Sequence, residues 1–171
     1  MRESSLETLL WQAMELYEPE RLEQFLHDPS GKVRIAAARR IQIHAGRLGF
    51  DIALKMIKSS VARQREIAAF MMGQLKKISA TQKQRCAETL CQILDGDKVS
   101  TVRATAAASL GHLEDESAID ALCRAANDHS DLVRANTAAA LMRFPKSKRV
   151  KASLAVLSND ASPEVRFWAA E

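Results

Sequence analysis

Glycine and proline are scarce in this sequence, six and four in 171 residues, and Phe, Trp and Tyr together make up only 5%. So few turn-formers and large β-formers leave little material for an all-β fold. No apolar run approaches the roughly 18 residues of a membrane span. The start, Met1-Arg2-Glu3-Ser4-Ser5-Leu6-Glu7, carries acids where a secretory leader needs a basic start and an apolar run, so the reading is cytoplasmic. Cys86, Cys91 and Cys123 are three in number and each sits in an apolar helical pattern, which suits reduced, packed thiols. A metal site would want a fourth ligand and tighter spacing. His27, His44, His112 and His129 are scattered, and there is no HExxH, no CxxC and no glycine-rich loop after a strand, so neither catalysis, cofactor nor metal is expected.

What remains is ordinary for a folded protein, 47% hydrophobic and 27% charged, with the apolar share rich in alanine. That composition favours helices packed closely through small side chains. The net charge of +4 is unevenly spread. Residues 1–31 hold two basic and seven acidic side chains, residues 32–85 thirteen and two, and residues 86–171 ten and twelve. The central basic block would steer an acidic partner, or could simply be solvated helix surface.

Self-similarity is the main signal. Val33-Arg34-Ile35-Ala36-Ala37-Ala38, Val102-Arg103-Ala104-Thr105-Ala106-Ala107, Val133-Arg134-Ala135-Asn136-Thr137-Ala138 and Val165-Arg166-Phe167-Trp168-Ala169-Ala170 repeat one phrase, with a degenerate copy at Gln64-Arg65-Glu66-Ile67-Ala68-Ala69. Six residues before each arginine stands Asp28, Ser59, Asp97, Asp128 or Asp160, each able to accept hydrogen bonds from free amides at a helix start. Each repeat therefore reads as helix A, a turn and helix B. The A helices are expected near 19–27, 48–58, 82–95, 117–127 and 147–158; the B helices near 31–45, 61–78, 99–113, 130–144 and from 162. The wider gap between Arg65 and Arg103 places an insertion near 79–85. Ser4-x-x-Glu7 reads as a capping box opening an additional helix to about Tyr17. The single domain, 1–171, then holds repeats near 19–46, 47–78, 80–113, 116–144 and 146–171, the last short of a polar capping repeat, as in a truncated chain or fragment.

The run from Ala106 to Leu122, with the recurring Asp and Arg six apart, resembles the HEAT-like repeat first named from phycobilisome lyases. That resemblance implies an all-α, right-handed α–α superhelix of about five hairpins plus an N-terminal helix. It also implies that Asp28/Arg34, Asp97/Arg103, Asp128/Arg134 and Asp160/Arg166 form a structural ladder rather than an active site. On helix B, the residue before the arginine and those three, four and seven after it are expected to be buried, and offsets two, six and nine to look outward.

The HEAT-like resemblance makes that outward face concave, with a stripe of Ala36, Arg40, Ile43, Ile67, Met71, Gln74, Thr105, Ser109, His112, Asn136, Ala140, Arg143 and Trp168, bordered by Arg39 and Phe70. The mixture of apolar and hydrogen-bonding groups suits a protein interface, with Arg40, Phe70, Arg143 and Trp168 as anchors. The segment from Ile67 to Lys76, with Val102 to Ala106 and Val165 to Ala170, is similar to bacterial HEAT-repeat immunity proteins. That likeness implies a protein partner, a cognate toxin domain inhibited by occupation, with no membrane and no small-molecule substrate. The alternatives are a general scaffold or adaptor, or a nucleic-acid binder like the HEAT-like DNA glycosylases; the stripe's few basic residues disfavour the last.

Overall fold

A computed structural model describes residues 3–170, with side chains from residue 6 onward. Ser4 of the proposed Ser4–Glu7 capping box lies outside the described side chains. Among the described residues all regular structure is helical, with no strand. Residues Met1–Ser79 and Ala80–Glu171 form two compact units.

In the first unit, α1 (Glu3–Met14) is followed by two hairpins. The first hairpin is α2 (Pro19–Leu22), a 3-10 turn (Glu23–His27) and α3 (Gly31–His44); the second is α4 (Gly46–Met56) and α5 (Ala62–Met72). Helices α1 and α5 pack on α3, so α1 takes the place a preceding B helix would occupy. Leu22 and Leu26 from the first A segment are fully buried against α3, as is Ile41 within it. Gly46 lets α4 start with almost no loop: its φ is +49°, and a Cβ there would stand 3.1 Å from the Lys77 carbonyl oxygen.

Helix α5 ends at Met72, earlier than the expected 78. The buried Gln42 intercepts it, donating from Nε2 to the Phe70 and Met71 carbonyls at 2.7 and 3.3 Å, while the Lys76 amide donates to the Gln42 carbonyl at 2.7 Å. Lys77 then turns through a left-handed φ of 57°. These bonds satisfy carbonyls that a continuing helix would have used.

The second unit holds three hairpins: α6 (Ala80–Gly96) with α7 (Ser100–Leu113); a 3-10 turn (Glu116–Ala118) and α8 (Ile119–Ala125) with α9 (Asp131–Leu141); and α10 (Lys148–Leu157) with α11 (Pro163–Ala170). The B helices α7, α9 and α11 lie side by side, and α6, α8 and α10 form a second layer. The inserted residues are absorbed by the 73–79 connection and the long α6. Val102, Ala106, Ala107, Leu110, Val133, Thr137, Ala138, Leu141 and Val165 are all fully buried, the face the B-helix periodicity predicts. Burial of each larger aliphatic side chain contributes about 1.5–3 kcal/mol. Small residues set the spacing of α7 and α9: a Cβ on Gly111 would stand 2.9 Å from Ala140 Cα.

The repeated aspartates act one step earlier than a helix cap. Asp28, Asp97, Asp128 and Asp160 each accept, through Oδ1, the amide of the residue two positions on, at 2.7–2.9 Å, and Ser59 Oγ accepts that of Val61 at 3.1 Å. Those amides belong to the residues just before each B helix, which make no side-chain cap of their own in α3, α5, α7 and α9. Each repeat arginine folds back to donate from Nη1 to the carbonyl six residues earlier, at 2.6–2.9 Å in all five copies. Within the second unit the remaining guanidinium nitrogens of Arg103 grip Asp128 at 2.8 and 2.8 Å, and those of Arg134 grip Asp160 at 2.7 and 2.9 Å. Burial alone would raise the Asp128 pKa, but the Arg103 bond and the Ser130 amide bring it below the usual carboxylate value; the Arg134 bond does the same for Asp160. The motif residues are joints of the stack.

Candidate docking surface on the B helices

The geometry of each B helix decides which side chains a partner could meet. At 100° per residue, the position six after the arginine lies seven after the buried residue that precedes it, only about 20° away around the helix. Met71, Ser109 and Ala140, expected to face outward, are accordingly buried, at 0%, 3% and 3% exposure. Ala36 and Ile67, two after their arginines, are also buried. None of these five can offer side-chain area to a partner.

Within each unit the outward row instead centres on the positions two before, five after and nine after Arg34 and Arg65, or Arg103 and Arg134, none of which is buried. In the first unit these are Lys32, Arg39 and Ile43 on α3, Arg63 and Phe70 on α5, and Gln74 just beyond its end. In the second they are Thr101, Ala108 and His112 on α7, Leu132 and Ala139 on α9, and Arg143 just beyond its end. Arg39 and Phe70, read from sequence as the border, are thus at the centre. A heptad count from the buried valines is the signal that finds this.

A hollow opens on the row of each unit. In the second unit, Ala108, Gly111, His112, Ala139, Ala140 and Arg143 line a hollow of about 180 Å³ between α7 and α9. The close packing at Gly111 leaves a shallow floor, with His112 and Arg143 at its rim. The Arg143 guanidinium is hydrogen-bonded to Glu114, an exposed pair that contributes little and can be exchanged for another carboxylate. Thr105 is half-buried; Asn136 is also half-buried and spends its Nδ2 on the Leu132 carbonyl at 2.9 Å. Trp168 is 37% exposed and meets Phe167 edge-on at 5.3 Å, and Phe167, not foreseen from sequence, is 57% exposed.

In the first unit, Glu7, Leu10 and Trp11 of α1 and Lys32, Ile35, Ala36 and Arg39 of α3 line a hollow of about 100 Å³. Arg40, expected to project as an anchor, is tied inward. Its guanidinium lies 5.9 Å above the Trp11 ring, 3.6 Å from a Glu15 carboxylate oxygen and 2.8 Å from His44 Nε2. Burial and the neighbouring Arg40 and Lys77 charges hold the His44 pKa below its usual value, so the neutral ring accepts the Arg40 N–H. Arg40 therefore fastens α1 to α3.

The thiols of Cys86 and Cys91 are both pushed up to about 11 by burial, leaving them protonated and inert near neutral pH. Among the described residues no cluster of His, Cys, Asp and Glu could hold a metal ion, and no helix is long and apolar enough to cross a membrane.

Comparison with known proteins gives a consistent picture of the architecture. The family model for HEAT repeats matches residues 87–171. No curated protein sequence matches the chain significantly. Among solved structures, YibA of Escherichia coli is similar over 99% of this chain and 74% of its own, with 22% identity and a TM-score of 0.61. An engineered protein is similar over 96% and 81%, with 16% identity and a TM-score of 0.64. Armadillo repeat proteins computationally designed for modular peptide recognition are similar over 99% and 92%, with 18% identity and a TM-score of 0.57. A designed armadillo repeat protein in complex with the peptide (KR)4 is similar over 90% and 79%, with 18% identity and a TM-score of 0.51. Among the described residues the chain is built entirely of helical hairpins, and residues 87–171 match the HEAT-repeat family.

Proposed function

We propose that this protein is a non-catalytic docking module that binds another protein through the outward row of its B helices. The observation that carries the reading is the row itself. At the positions two before, five after and nine after Arg34, Arg65, Arg103 and Arg134, the structural joints have left a side chain accessible. Small residues between α7 and α9 bring the two backbones together while leaving an open hollow edged by His112 and Arg143. Exposed aromatic and arginine side chains, here Phe167, Trp168 and Arg143, are the types that dominate protein interfaces. The designed armadillo proteins of similar fold, one of them holding a peptide, support a peptide or protein as the occupant.

The finer reading is that the partner is a bacterial toxin domain and that the chain acts as its immunity protein. Binding across the toxin's working surface would exclude its substrate, a task that needs affinity and coverage but no chemistry from the inhibitor. The sequence likeness of Ile67 to Lys76 and of the Val-Arg phrases to immunity proteins motivates this choice. The test is co-expression with the neighbouring open reading frame, followed by size-exclusion chromatography at moderate salt. A one-to-one complex that loses affinity when Phe70 and Arg143 are replaced together, at unchanged thermal stability, is the expected result. Absence of a complex, together with duplex DNA binding that falls steeply with salt, would overturn it in favour of a nucleic-acid role.

A further inference from the structure

The basic charge of the chain is concentrated where the outward row has a preformed hollow, and this narrows the kind of partner the first unit can take. Residues 32–79 carry eleven basic and two acidic side chains. Several of these cations are already committed: Arg34 to turn carbonyls, Arg40 to α1, Arg47 to Asp51 and Lys55 to Glu23. Arg39 and Arg63 are exposed and have no carboxylate partner among the described residues. The corresponding places in α7 and α9 are Thr101, Ala108, Leu132 and Ala139, all uncharged. At the positions two before and five after the repeat arginines, the cationic side chains therefore belong to the first unit.

Between Lys32 and Arg39 the floor is apolar, made by Leu10, Trp11, Ile35 and Ala36, with Ile35 41% exposed. Its volume of about 100 Å³ is well below the roughly 300–1,000 Å³ of sites for cofactors and small ligands, so it has room for one side chain. Arg40 stacked over Trp11 holds one wall of the hollow. Glu7 stands at the opposite lip as the single carboxylate among the lining residues.

We propose that this hollow docks an acidic segment of the protein partner, with one aliphatic side chain seated on Leu10, Trp11, Ile35 and Ala36 and flanking carboxylates on Arg39 and Arg63. Charge complementarity identifies the occupant, and the apolar floor with Glu7 at its lip favours a polypeptide over a phosphate backbone. The inference rests on the protein-binding reading and names the chemistry of the bound segment.

The experiment uses the full chain with Trp168→Phe, so that Trp11 is the sole indole, and follows its emission while short synthetic peptides are added at low salt. The probes are a Glu-rich peptide with a central Leu, the same peptide with a central Ser, a Lys-rich peptide with a central Leu, and a single-stranded oligonucleotide. The Glu-rich Leu peptide is expected to bind saturably, the Ser version about tenfold more weakly, and the other two not at all. Arg39→Glu should weaken the first peptide about tenfold without changing thermal unfolding, and Glu7→Gln should tighten it about twofold. Equal binding of the Lys-rich peptide, tighter binding of the oligonucleotide, no saturable binding, or an Arg39→Glu variant that binds unchanged would each overturn the inference. A co-expressed protein partner that binds wild type and Arg39→Glu alike would sink the acidic segment while leaving the protein-binding reading in place.

Discussion

A single methyl group placed at two glycines separates the packing account from ordinary helix propensity. Gly111 and Gly96 are both helical, and replacing either with alanine gains up to about 1 kcal/mol of intrinsic helix preference. At Gly96 a Cβ meets nothing within 4 Å, so Gly96→Ala should raise stability by about 0.5–1 kcal/mol. At Gly111 the new Cβ would stand 2.9 Å from Ala140 Cα and 3.0 Å from its Cβ, where contact needs about 3.5–4.0 Å. The collision is with backbone, so α9 must move by about half an ångström or more, and overpacking costs about 1–3 kcal/mol. Net, Gly111→Ala should destabilise by about 1–2 kcal/mol, a fall in Tm of about 2–8 °C for a chain of this length. Urea unfolding followed by circular dichroism measures both variants against wild type. Adding Ala140→Gly to Gly111→Ala should recover part of the loss, because the two methyls compete for one space. A Gly111→Ala protein as stable as wild type would refute the close approach of α7 and α9.

Other consequences follow from the joints and from the buried side chains of the B helices. Arg134→Met should cost about 2–3 kcal/mol, since it strands Asp160 and two turn carbonyls at a mostly but not fully buried site, and Asp160→Asn in that background should cost little more in a double-mutant cycle. Asp160 has its pKa lowered in the folded state, so its stabilisation is present above the unfolded value of about 3.9 and is lost as pH falls through the folded one; acid unfolding of Arg134→Met should show a shallower slope in that range. Thr137 Oγ1 is fully buried without a hydrogen-bond partner, so Thr137→Val should leave stability unchanged or raise it by about 1 kcal/mol in thermal unfolding. Met71→Ala should lower stability by about 2–5 kcal/mol, whereas half-buried Phe70 should matter less to folding and more to partner affinity in a titration.

The repeat was fully legible in the sequence because one phrase recurs with its turn aspartate and its arginine, and each joint uses only residues inside that phrase and the next. Helix starts were legible for the same reason. The end of α5 was not, because it depends on Gln42, a polar residue in the preceding hairpin whose amide reaches the Phe70 and Met71 carbonyls across the fold. The outward row was legible only in part. Counting seven residues on from Val102 and Val133 places Ser109 and Ala140 beside the core, whereas a looser reading of the period left Met71, Ser109 and Ala140 on the surface. Arg40 shows a different limit: its capture by Trp11, Glu15 and His44 depends on α1 lying against α3, a tertiary fact that local periodicity does not contain.

The central claim is that the outward row of the B helices is a protein-docking surface. Ala108 and Ala139 sit on that row, at the hollow between α7 and α9, where a long side chain can point away from the core. Affinity of the Ala108→Arg and Ala139→Arg proteins for the co-expressed partner, measured by calorimetry beside their Tm, tests the claim directly. The account predicts wild-type Tm with binding weakened by about a hundredfold, as a blocked hollow at the centre of an interface requires. Wild-type affinity in both variants, with the fold intact, would contradict it.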